Sequence, residues 1–215
     1  MFFLVAACVC GQTFLFHSRK AGGTTLRAAL PNAVVEEGYN IQRKKQPGEL
    51  WVTSIRDPVD RLWSSFRYEG RWKGTRFSGW AEKEISFNEW HARTNSTTCS
   101  RKTWQCSANC FTRWFSGCTS GPTHNAFPAA ALTLSEFDVV VNMHRLQDAT
   151  YAKLVQECLN LTRPIRRVSP WLAQLAIEAN KKYPISTPAR LPLVAENALD
   201  YALLQPYWEK PPCNA

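Results

Sequence analysis

The sequence predicts an α/β fold of three α/β/α layers with a central, mostly parallel sheet. Short apolar runs rich in β-branched and aromatic residues alternate with segments of helical character, which is typical of parallel strands joined by helices on both faces of a sheet. The chain has 215 residues, 45% of them apolar. That is enough for one well-cored domain and too few for two of ordinary size. We therefore expect residues 1–215 to form a single domain.

Three strands and two helices are predicted in the first part of the chain. The strands are residues 12–16, residues 33–37 and Leu50–Ile55. The first is a short apolar run rich in aromatics, which suits a buried parallel strand. Residues 24–30 contain good helix formers and stop at a proline. Residues 58–68 form an amphipathic pattern, and their leading proline is accepted at the first position of a helix.

The second part of the chain has a less regular pattern. Residues 69–121 are rich in Trp and Cys, and we expect helices and loops there. Residues 137–141 predict a late strand, followed by a helix over about residues 146–159. The remainder, including residues 171–182, is expected to be helical with Pro-rich connections.

The net charge is strongly positive, at +9, from 26 Lys and Arg against 17 Asp and Glu. Such a field attracts polyanions and anionic nucleotides. The basic residues occur in groups within residues 19–27, 43–45, 56–76 and 163–167, which favours a lined cleft over a basic tail. Together with nine Trp, this charge also allows a polyanion-binding or nucleic-acid-binding module. No nucleic-acid-binding signature is present, so we expect no nucleic-acid partner.

The cysteines indicate an oxidising compartment. Of the eight cysteines, four fall close together: Cys99, Cys106, Cys110 and Cys118. Their spacing contains no CxxC pair, so disulfides explain them better than a zinc ribbon, and we expect no metal. Two sequons, at Asn95 and Asn160, predict a glycoprotein of the secretory pathway.

Residues 1–10 are apolar but lack a basic leading segment and are too short to span a bilayer. They are interpreted either as the remnant of a trimmed signal or anchor segment or as the lead-in to the first strand. Membrane contact is expected only through such an anchor.

The turn after the first predicted strand, residues 18–23, is here called the glycine loop. Residues 17–26 read HSRKAGGTTL. The groups that can donate hydrogen bonds to an anion are the backbones of Gly22 and Gly23 and the hydroxyls of Thr24 and Thr25. Lys20 adds a mobile positive charge. Because this Lys precedes the glycine pair, the order is not that of a Walker A motif, which argues against an ordinary ATPase, GTPase or kinase.

A second motif follows the third predicted strand, where residues 56–64 read RDPVDRLWS. Arg56 stands at the carboxyl end of that strand, where open α/β sheets bind ligands. Ser64 lies about two helical turns further on, and can share an anion with Arg56 only if the helix runs alongside the site. In the alternative interpretation, Asp57 caps the helix, Arg61 forms a surface ion pair and Ser64 is packed.

In this order, the two motifs resemble those of the sulfotransferases that use 3′-phosphoadenosine 5′-phosphosulfate (PAPS), particularly the Golgi-type carbohydrate (heparan sulfate 2-O-like) group. The first is similar to the family's 5′-phosphosulfate loop, H-x-P-K-T-G-G-T-T/S-L, and the second to its 3′-phosphate motif, R-D-P-x-x-R-x-x-S. The strong likeness covers residues 14–64, with looser likeness at residues 109–117 and 197–204. The chain departs from the first motif at Arg19, where the family has Pro, and at Ala21, where it has Thr.

The resemblance implies a P-loop-type sheet, PAPS as the sulfuryl donor and no metal. It implies that Lys20 stabilises charge on the leaving phosphate and that Arg56 and Ser64 bind the 3′-phosphate. The groups implied to hold the 5′-phosphosulfate are Gly22, Gly23, Thr24 and Thr25, with Arg19 adding charge nearby.

The family's general base is a Glu or a His between the two motifs, and this chain has no His there. Glu36 and Glu37 occupy the comparable stretch, and we favour Glu37 as the base. His17 and His91 are reserve candidates.

The implied reaction transfers a sulfuryl group to an acceptor hydroxyl. A basic, Trp-rich surface favours a carbohydrate acceptor, while a protein tyrosine or a small metabolite stays open. The expected location is the Golgi lumen. A catalytically inactive sulfotransferase-fold protein that binds nucleotide or glycan is the alternative, beside the polyanion-binding module.

Overall fold

The computed structural model describes residues 11–37, 41, 43–69, 86–94, 106–117, 123–163, 165 and 187–213. Its centre is a four-stranded sheet with the strand order β2-β1-β3-β4. The strands are β1 Thr13–His17, β2 Val34–Glu37, β3 Leu50–Ile55 and β4 Val139–Asn142. Every neighbouring pair in this sheet is parallel, so the prediction of an α/β fold with a parallel sheet is confirmed.

Eight α-helices lie in the described part of the chain. They are α1 Gly23–Ala29, α2 Pro58–Glu69, α3 Phe87–Thr94, α4 Cys110–Phe115, α5 Phe127–Ser135, α6 Ala149–Cys158, α7 Thr187–Glu196 and α8 Ala198–Leu204. Short 3₁₀ turns occupy Thr123–Ala126, Arg145–Gln147 and Gln205–Tyr207. The predicted helical segment at residues 171–182 lies outside the described residues.

One face of the sheet packs against α1 and α6. Leu15 and Val52 point to this face and form a buried cluster with Leu26 of α1 and with Tyr151 and Val155 of α6. Because side chains alternate along a strand, the residues next to Leu15 and Val52 point to the opposite face. Burying one large apolar side chain of this cluster stabilises the fold by roughly 1.5–3 kcal/mol.

The opposite face packs against α4, α5 and α8 through aromatic side chains. The rings of Phe16 and Trp51 lie 4.7 Å apart, and Phe137 meets Phe16 edge-on at 5.1 Å. Phe115 of α4 and Leu204 of α8 complete this cluster. Helices therefore cover both faces of the sheet, which is consistent with three α/β/α layers.

The strand order places a topological switch point between β1 and β3. From β1 the chain crosses to β2 on one side, and from β3 it crosses to β4 on the other. The carboxyl ends of β1 and β3 are the place where open parallel sheets form ligand sites. The glycine loop follows β1 and Arg56 follows β3, so both sequence motifs lie at this edge.

β4 and α6 both begin later in the sequence than predicted. β4 begins at Val139, directly after Asp138, whose carboxylate accepts the backbone N–H of Trp51 at 2.7 Å. α6 begins at Ala149, where the Asp148 side chain accepts hydrogen bonds from the first-turn amides.

The C-terminal tail is attached to the edge of the sheet. Val140 donates its N–H to the Pro212 carbonyl at 2.8 Å, and Cys213 forms an antiparallel bridge with Val139. Cys213 also pairs with Cys158 of α6, with 5.9 Å between the Cα atoms. The tail is thus held by backbone pairing and by a disulfide.

A second cysteine pair, Cys106 and Cys110, has its Cα atoms 5.7 Å apart. Two pairs at disulfide distance are compatible with a secreted or lumenal protein. Cys99 and Cys118 lie outside the described residues, as does the sequon at Asn95, while Asn160 is exposed in the turn after α6. In the ranges described, no helix is both long enough and apolar enough to cross a bilayer.

Candidate functional site

The glycine loop turns sharply between β1 and α1. Lys20 and Gly22 adopt left-handed backbone conformations, with φ of 61° and 92°. Lys20 is not a glycine, so this conformation is uncommon and costs of order 1 kcal/mol or more. The N–H of Ala21 bonds to the Ser18 carbonyl at 3.1 Å, and the N–H of Thr25 bonds to the Gly22 carbonyl at 2.9 Å. The loop is therefore a defined turn that leads directly into α1.

Close packing explains both glycines in this loop. A Cβ atom on Gly22 would overlap the side chain of Met143, and one on Gly23 would overlap the ring of His17. The sequence suggested that these glycines let an anion approach the backbone. The structure adds that the loop packs between the side chains of Met143 and His17. His17, a reserve candidate for the general base, therefore packs against the first residue of α1.

The two threonines of the motif differ in exposure. Thr24 is exposed, whereas Thr25 is buried with 6% of its surface accessible. Arg19 and Lys20 are partly exposed, while Ala21 is buried. Thr24, rather than Thr25, therefore offers its hydroxyl to a ligand in solution.

The two sequence motifs meet at the switch point. The Arg56 guanidinium donates from Nη1 to the Lys20 carbonyl at 3.4 Å. Below this contact, the Thr53 hydroxyl donates to the Phe16 carbonyl at 3.0 Å and ties β3 to β1. The structure thus brings together Lys20 and Arg56, which lie 36 residues apart in the sequence.

α2 carries Ser64 and a further basic residue, Arg67. Ser64 is half-buried and lies ~9 Å along the helix axis from Pro58. Burial lowers the pKa of the Arg67 guanidinium, and the positive charge of Arg56 lowers it further, against an opposite effect of Asp60. Like charges on Arg56 and Arg67 disfavour each other, and a bound anion would relieve this repulsion. Arg67 follows Ser64 by three residues, a helical spacing that could have identified it.

Asp57 is hydrogen-bonded through both carboxylate oxygens. Its Oδ1 accepts the backbone N–H of Asp60 at 2.9 Å, which caps α2, and accepts from Arg190 Nη2 at 2.6 Å. Its Oδ2 accepts from the Tyr201 hydroxyl at 2.8 Å. The capping role foreseen for Asp57 in the alternative interpretation is present, joined by partners on α7 and α8.

Arg61 does not form the surface ion pair of that interpretation. It is 1% exposed and donates to the Cys106 carbonyl at 2.9 Å and to Cys110 Sγ at 3.0 Å. Its guanidinium also lies 5.2 Å from the centre of the Trp114 ring. Arg61 is buried because α4 and the segment before it pack over α2, a long-range contact that the helix pattern does not show.

An open cleft of about 350 Å³ adjoins the two motifs, and we call it the Asp60 cleft. Its lining residues are Asp57, Asp60, His144, Arg190, Tyr201 and Trp208. The cleft borders the site because Asp57 follows Arg56 and because His144 follows Met143, whose side chain contacts Gly22. No short motif marks His144, Arg190 or Trp208, so sequence reasoning missed them. Tyr201 lies within residues 197–204, which loosely resemble the family, but no role was assigned to it.

The candidate bases lie at the carboxyl end of β2. In the parallel register of β1 and β2, Glu37 is opposite His17 and Glu36 is opposite Phe16. Glu36 is partly buried, whereas the side chain of Glu37 lies outside what the structure describes. The backbone of both positions is therefore next to the strand end from which the glycine loop departs.

The other reserve candidate, His91, has a packing environment. Its Nε2 lies 2.7 Å from Glu196 Oε2, and its ring stacks on Phe87 with 5.5 Å between ring centres. The contact with Glu196 joins α3 to α7. Within the described residues, no three His, Cys, Asp or Glu side chains come together as metal ligands.

Comparison with known proteins adds no relative. No protein-family model matches this chain, and no curated protein matches it with significant similarity. What is known of the site therefore comes from its own residues and their geometry.

Proposed function

We propose that this protein is a sulfotransferase of P-loop type that moves a sulfuryl group from PAPS to an acceptor hydroxyl. The observation that carries the proposal is the contact between Arg56 and the backbone of Lys20, at the carboxyl ends of two adjacent parallel strands. A nucleotide with phosphate groups at both its 5′ and 3′ positions suits two cationic motifs placed side by side.

The charge of the site supports an anionic ligand. Lys20 and Arg56 add positive charge at the switch point, and the charge of Arg56 also lowers the pKa of Arg67 on α2. In this proposal Arg19, Lys20, Gly22, Gly23 and Thr24 hold the 5′-phosphosulfate, while the buried Thr25 belongs to the start of α1. Arg56 and Ser64 hold the 3′-phosphate, with Arg67 adding to the field.

The proposed reaction is an in-line displacement at sulfur. A new bond forms between the acceptor oxygen and sulfur, while the bond from sulfur to the bridging oxygen of the 5′-phosphate breaks. The acceptor proton goes to Glu37, or to Glu36 if that residue is the base. Lys20 stabilises the negative charge that develops on the leaving 3′,5′-bisphosphate. The acceptor is a carbohydrate hydroxyl, and the protein acts in the Golgi lumen.

One observation favours a second candidate, a nucleotide-binding protein without turnover. The Thr that follows the Lys in the family's first motif is Ala21 here; Ala21 is buried, and Thr25 is buried as well. Met143 and His17 also pack against the two glycines on the side where a side chain would stand. Fewer donors then face the 5′ group than in a complete motif.

The first test is calorimetric titration with 3′-phosphoadenosine 5′-phosphate, with 5′-AMP as the control ligand. We expect the wild-type protein to bind the 3′-phosphorylated nucleotide at least ~10-fold more tightly, since a charge-assisted contact contributes roughly 1.5–3 kcal/mol. Arg56→Ala is expected to weaken the 3′-phosphorylated ligand much more than 5′-AMP. Equal affinity of the wild-type protein for both nucleotides would contradict the proposal. Binding without sulfuryl transfer to any acceptor would favour the second candidate.

A further inference from the structure

Arg190 holds two carboxylates of the second motif at once. Its Nη2 donates to Asp57 at 2.6 Å and its Nη1 donates to Asp60 at 2.7 Å. The planar guanidinium presents its donors in a fixed fork, so this pair of contacts sets the relative orientation of Asp57 and Asp60. Arg190 lies on α7, more than a hundred residues beyond α2 in the sequence.

Tyr201, on α8, adds a third restraint. Its hydroxyl donates to Asp57 Oδ2 at 2.8 Å. Burial raises the pKa of Tyr201, and the hydrogen bond to Asp57 raises it further, so the hydroxyl keeps its proton at any physiological pH. Asp57 thus has one oxygen facing Tyr201 and the other shared by Arg190 and the cap of α2.

Asp57 is the covalent neighbour of Arg56. The direction of the Arg56 side chain depends on the backbone between β3 and α2, and a turn held by three side-chain contacts has few alternative conformations. Without these contacts, the first turn of α2 keeps its cap but loses its attachment to α7 and α8. Arg56 would then sample more directions, and an anion would have to order it on binding.

We propose that Arg190 and Tyr201 are positioning residues, which act through Asp57 to fix Arg56 toward a 3′-phosphate. This inference rests on the proposed function, because it concerns the same anion site. It assigns α7 and α8 the role of holding the second motif in a binding-competent conformation, without contact between their side chains and the nucleotide.

The test compares the preference for 3′-phosphoadenosine 5′-phosphate over 5′-AMP in Arg190→Gln, Tyr201→Phe and the wild-type protein. We expect Arg190→Gln to reduce the ratio of the two affinities by about 10-fold, Tyr201→Phe to reduce it less, and Arg190→Lys to recover part of the loss. Amide hydrogen exchange over residues 56–62, measured without ligand, should be faster in Arg190→Gln than in the wild-type protein.

Arg43→Gln is the matched control. Arg43 also pairs with a carboxylate, that of Glu49, and it stacks on Phe14 with 3.9 Å to the ring centre. These contacts lie at the amino ends of the strands, opposite the site. We expect Arg43→Gln to lower thermal stability while the nucleotide preference and the exchange of residues 56–62 stay at wild-type values.

The outcomes distinguish a failure of the positioning role from a failure of the proposed function. An unchanged nucleotide preference in both Arg190→Gln and Tyr201→Phe, or an equal loss of affinity for both nucleotides, would overturn the positioning role while the proposed function stands. If Arg190→Gln does not fold, the nucleotide preference of Tyr201→Phe tests the positioning role. This variant removes one oxygen atom, and with it the hydrogen bond to Asp57, so we expect it to fold. A wild-type protein without any preference would overturn the proposed function, and the positioning role with it.

Discussion

Lys20 is the residue on which the proposed chemistry depends most. Its backbone lies in the left-handed region, and its carbonyl accepts from Arg56, so the position of Lys20 is tied to both motifs. In the proposed mechanism, a cation at this place acts on the charge that builds up when the sulfuryl group leaves. We therefore expect Lys20 to contribute more to turnover than to substrate affinity.

We predict that Lys20→Ala lowers kcat by about 10²-fold or more, since it removes transition-state stabilisation. The measurement is the transfer of radiolabelled sulfate from PAPS to a panel of carbohydrate acceptors. Lys153→Ala is a suitable control, because Lys153 is an exposed residue on α6 that pairs with Glu157 at 3.8 Å. Near wild-type turnover in Lys20→Ala would remove this residue from the mechanism.

The same sulfate-transfer assay tests which residue is the general base. Glu37→Gln keeps the shape of the side chain but cannot take the acceptor proton, and we expect it to lose about 10²-fold in kcat. Glu36→Gln should retain most activity if Glu37 is the base, and the reverse result would assign the role to Glu36. Wild-type rates in both variants would place the base elsewhere.

At the level of the secondary-structure elements, the start of α4 is held by the carboxylate of Asp200, which lies on α8. Asp200 is fully buried and accepts from the N–H groups of Phe111 and Thr112 at 3.0 and 2.7 Å. The Thr112 hydroxyl donates to it as well, at 2.9 Å. A helix start normally finds its acceptor in the preceding residue, but here a distant helix supplies it. α4 and α8 are therefore expected to form and unfold together.

We predict that Asp200→Asn lowers the free energy of unfolding by about 1–3 kcal/mol at pH 7, because one accepting carboxylate oxygen is replaced by an NH₂ group, a donor that faces other donors. Burial raises the pKa of Asp200, with the hydrogen bonds from Thr112 and Phe111 and the charge of Arg61 acting against it. The folded state then binds more protons than the unfolded state, so the stability from Asp200 falls as pH rises from about 4.

The asparagine variant lacks this titration. The difference in the free energy of unfolding between the wild-type protein and the variant should therefore increase as pH is lowered from 7 toward 4. Urea unfolding of both proteins across that pH range is the measurement. A deficit that stays constant, or that narrows in acid, would show that Asp200 is not the titrating group.

At the level of the whole molecule, the C-terminal tail is joined to α6 by a disulfide and to β4 by backbone pairing, so the chain between Cys158 and Cys213 forms a closed loop. The Cys158–Cys213 pair spans 55 residues, and Trp208 of the same tail lines the Asp60 cleft. Arg145 donates to the Lys210 carbonyl at 3.0 Å and further fixes the tail. In the chain-entropy model, a disulfide across a loop of this length stabilises the fold by roughly 4 kcal/mol.

We predict that the double variant Cys158→Ser, Cys213→Ser melts about 5–15 °C below the wild-type protein, as expected for a loss of roughly 2–4 kcal/mol in a chain of this size. Calorimetry gives the melting temperature, and mass spectrometry of peptides without reduction tests the pairing. A native protein in which both thiols react with an alkylating reagent would contradict the disulfide.

Much of the fold and part of the site could be predicted from local patterns. β3 has the predicted bounds, and β1 and α2 differ from theirs by about one residue, because the spacing of apolar side chains sets the type of an element. The glycine loop and Arg56 could be found for a similar reason, since each is a short motif that directly follows a strand. Parallel pairing of the strands was enough to expect both motifs at one edge of the sheet.

The remaining features depend on contacts between residues far apart in the chain. Asp57 meets Arg190 and Tyr201 across 133 and 144 residues, and no local pattern encodes such a pairing. The burial of Arg61 and the packing of Met143 against Gly22 likewise arise only when distant elements are brought together. Periodicity reports which face of an element is buried, whereas the path of the chain decides what covers that face.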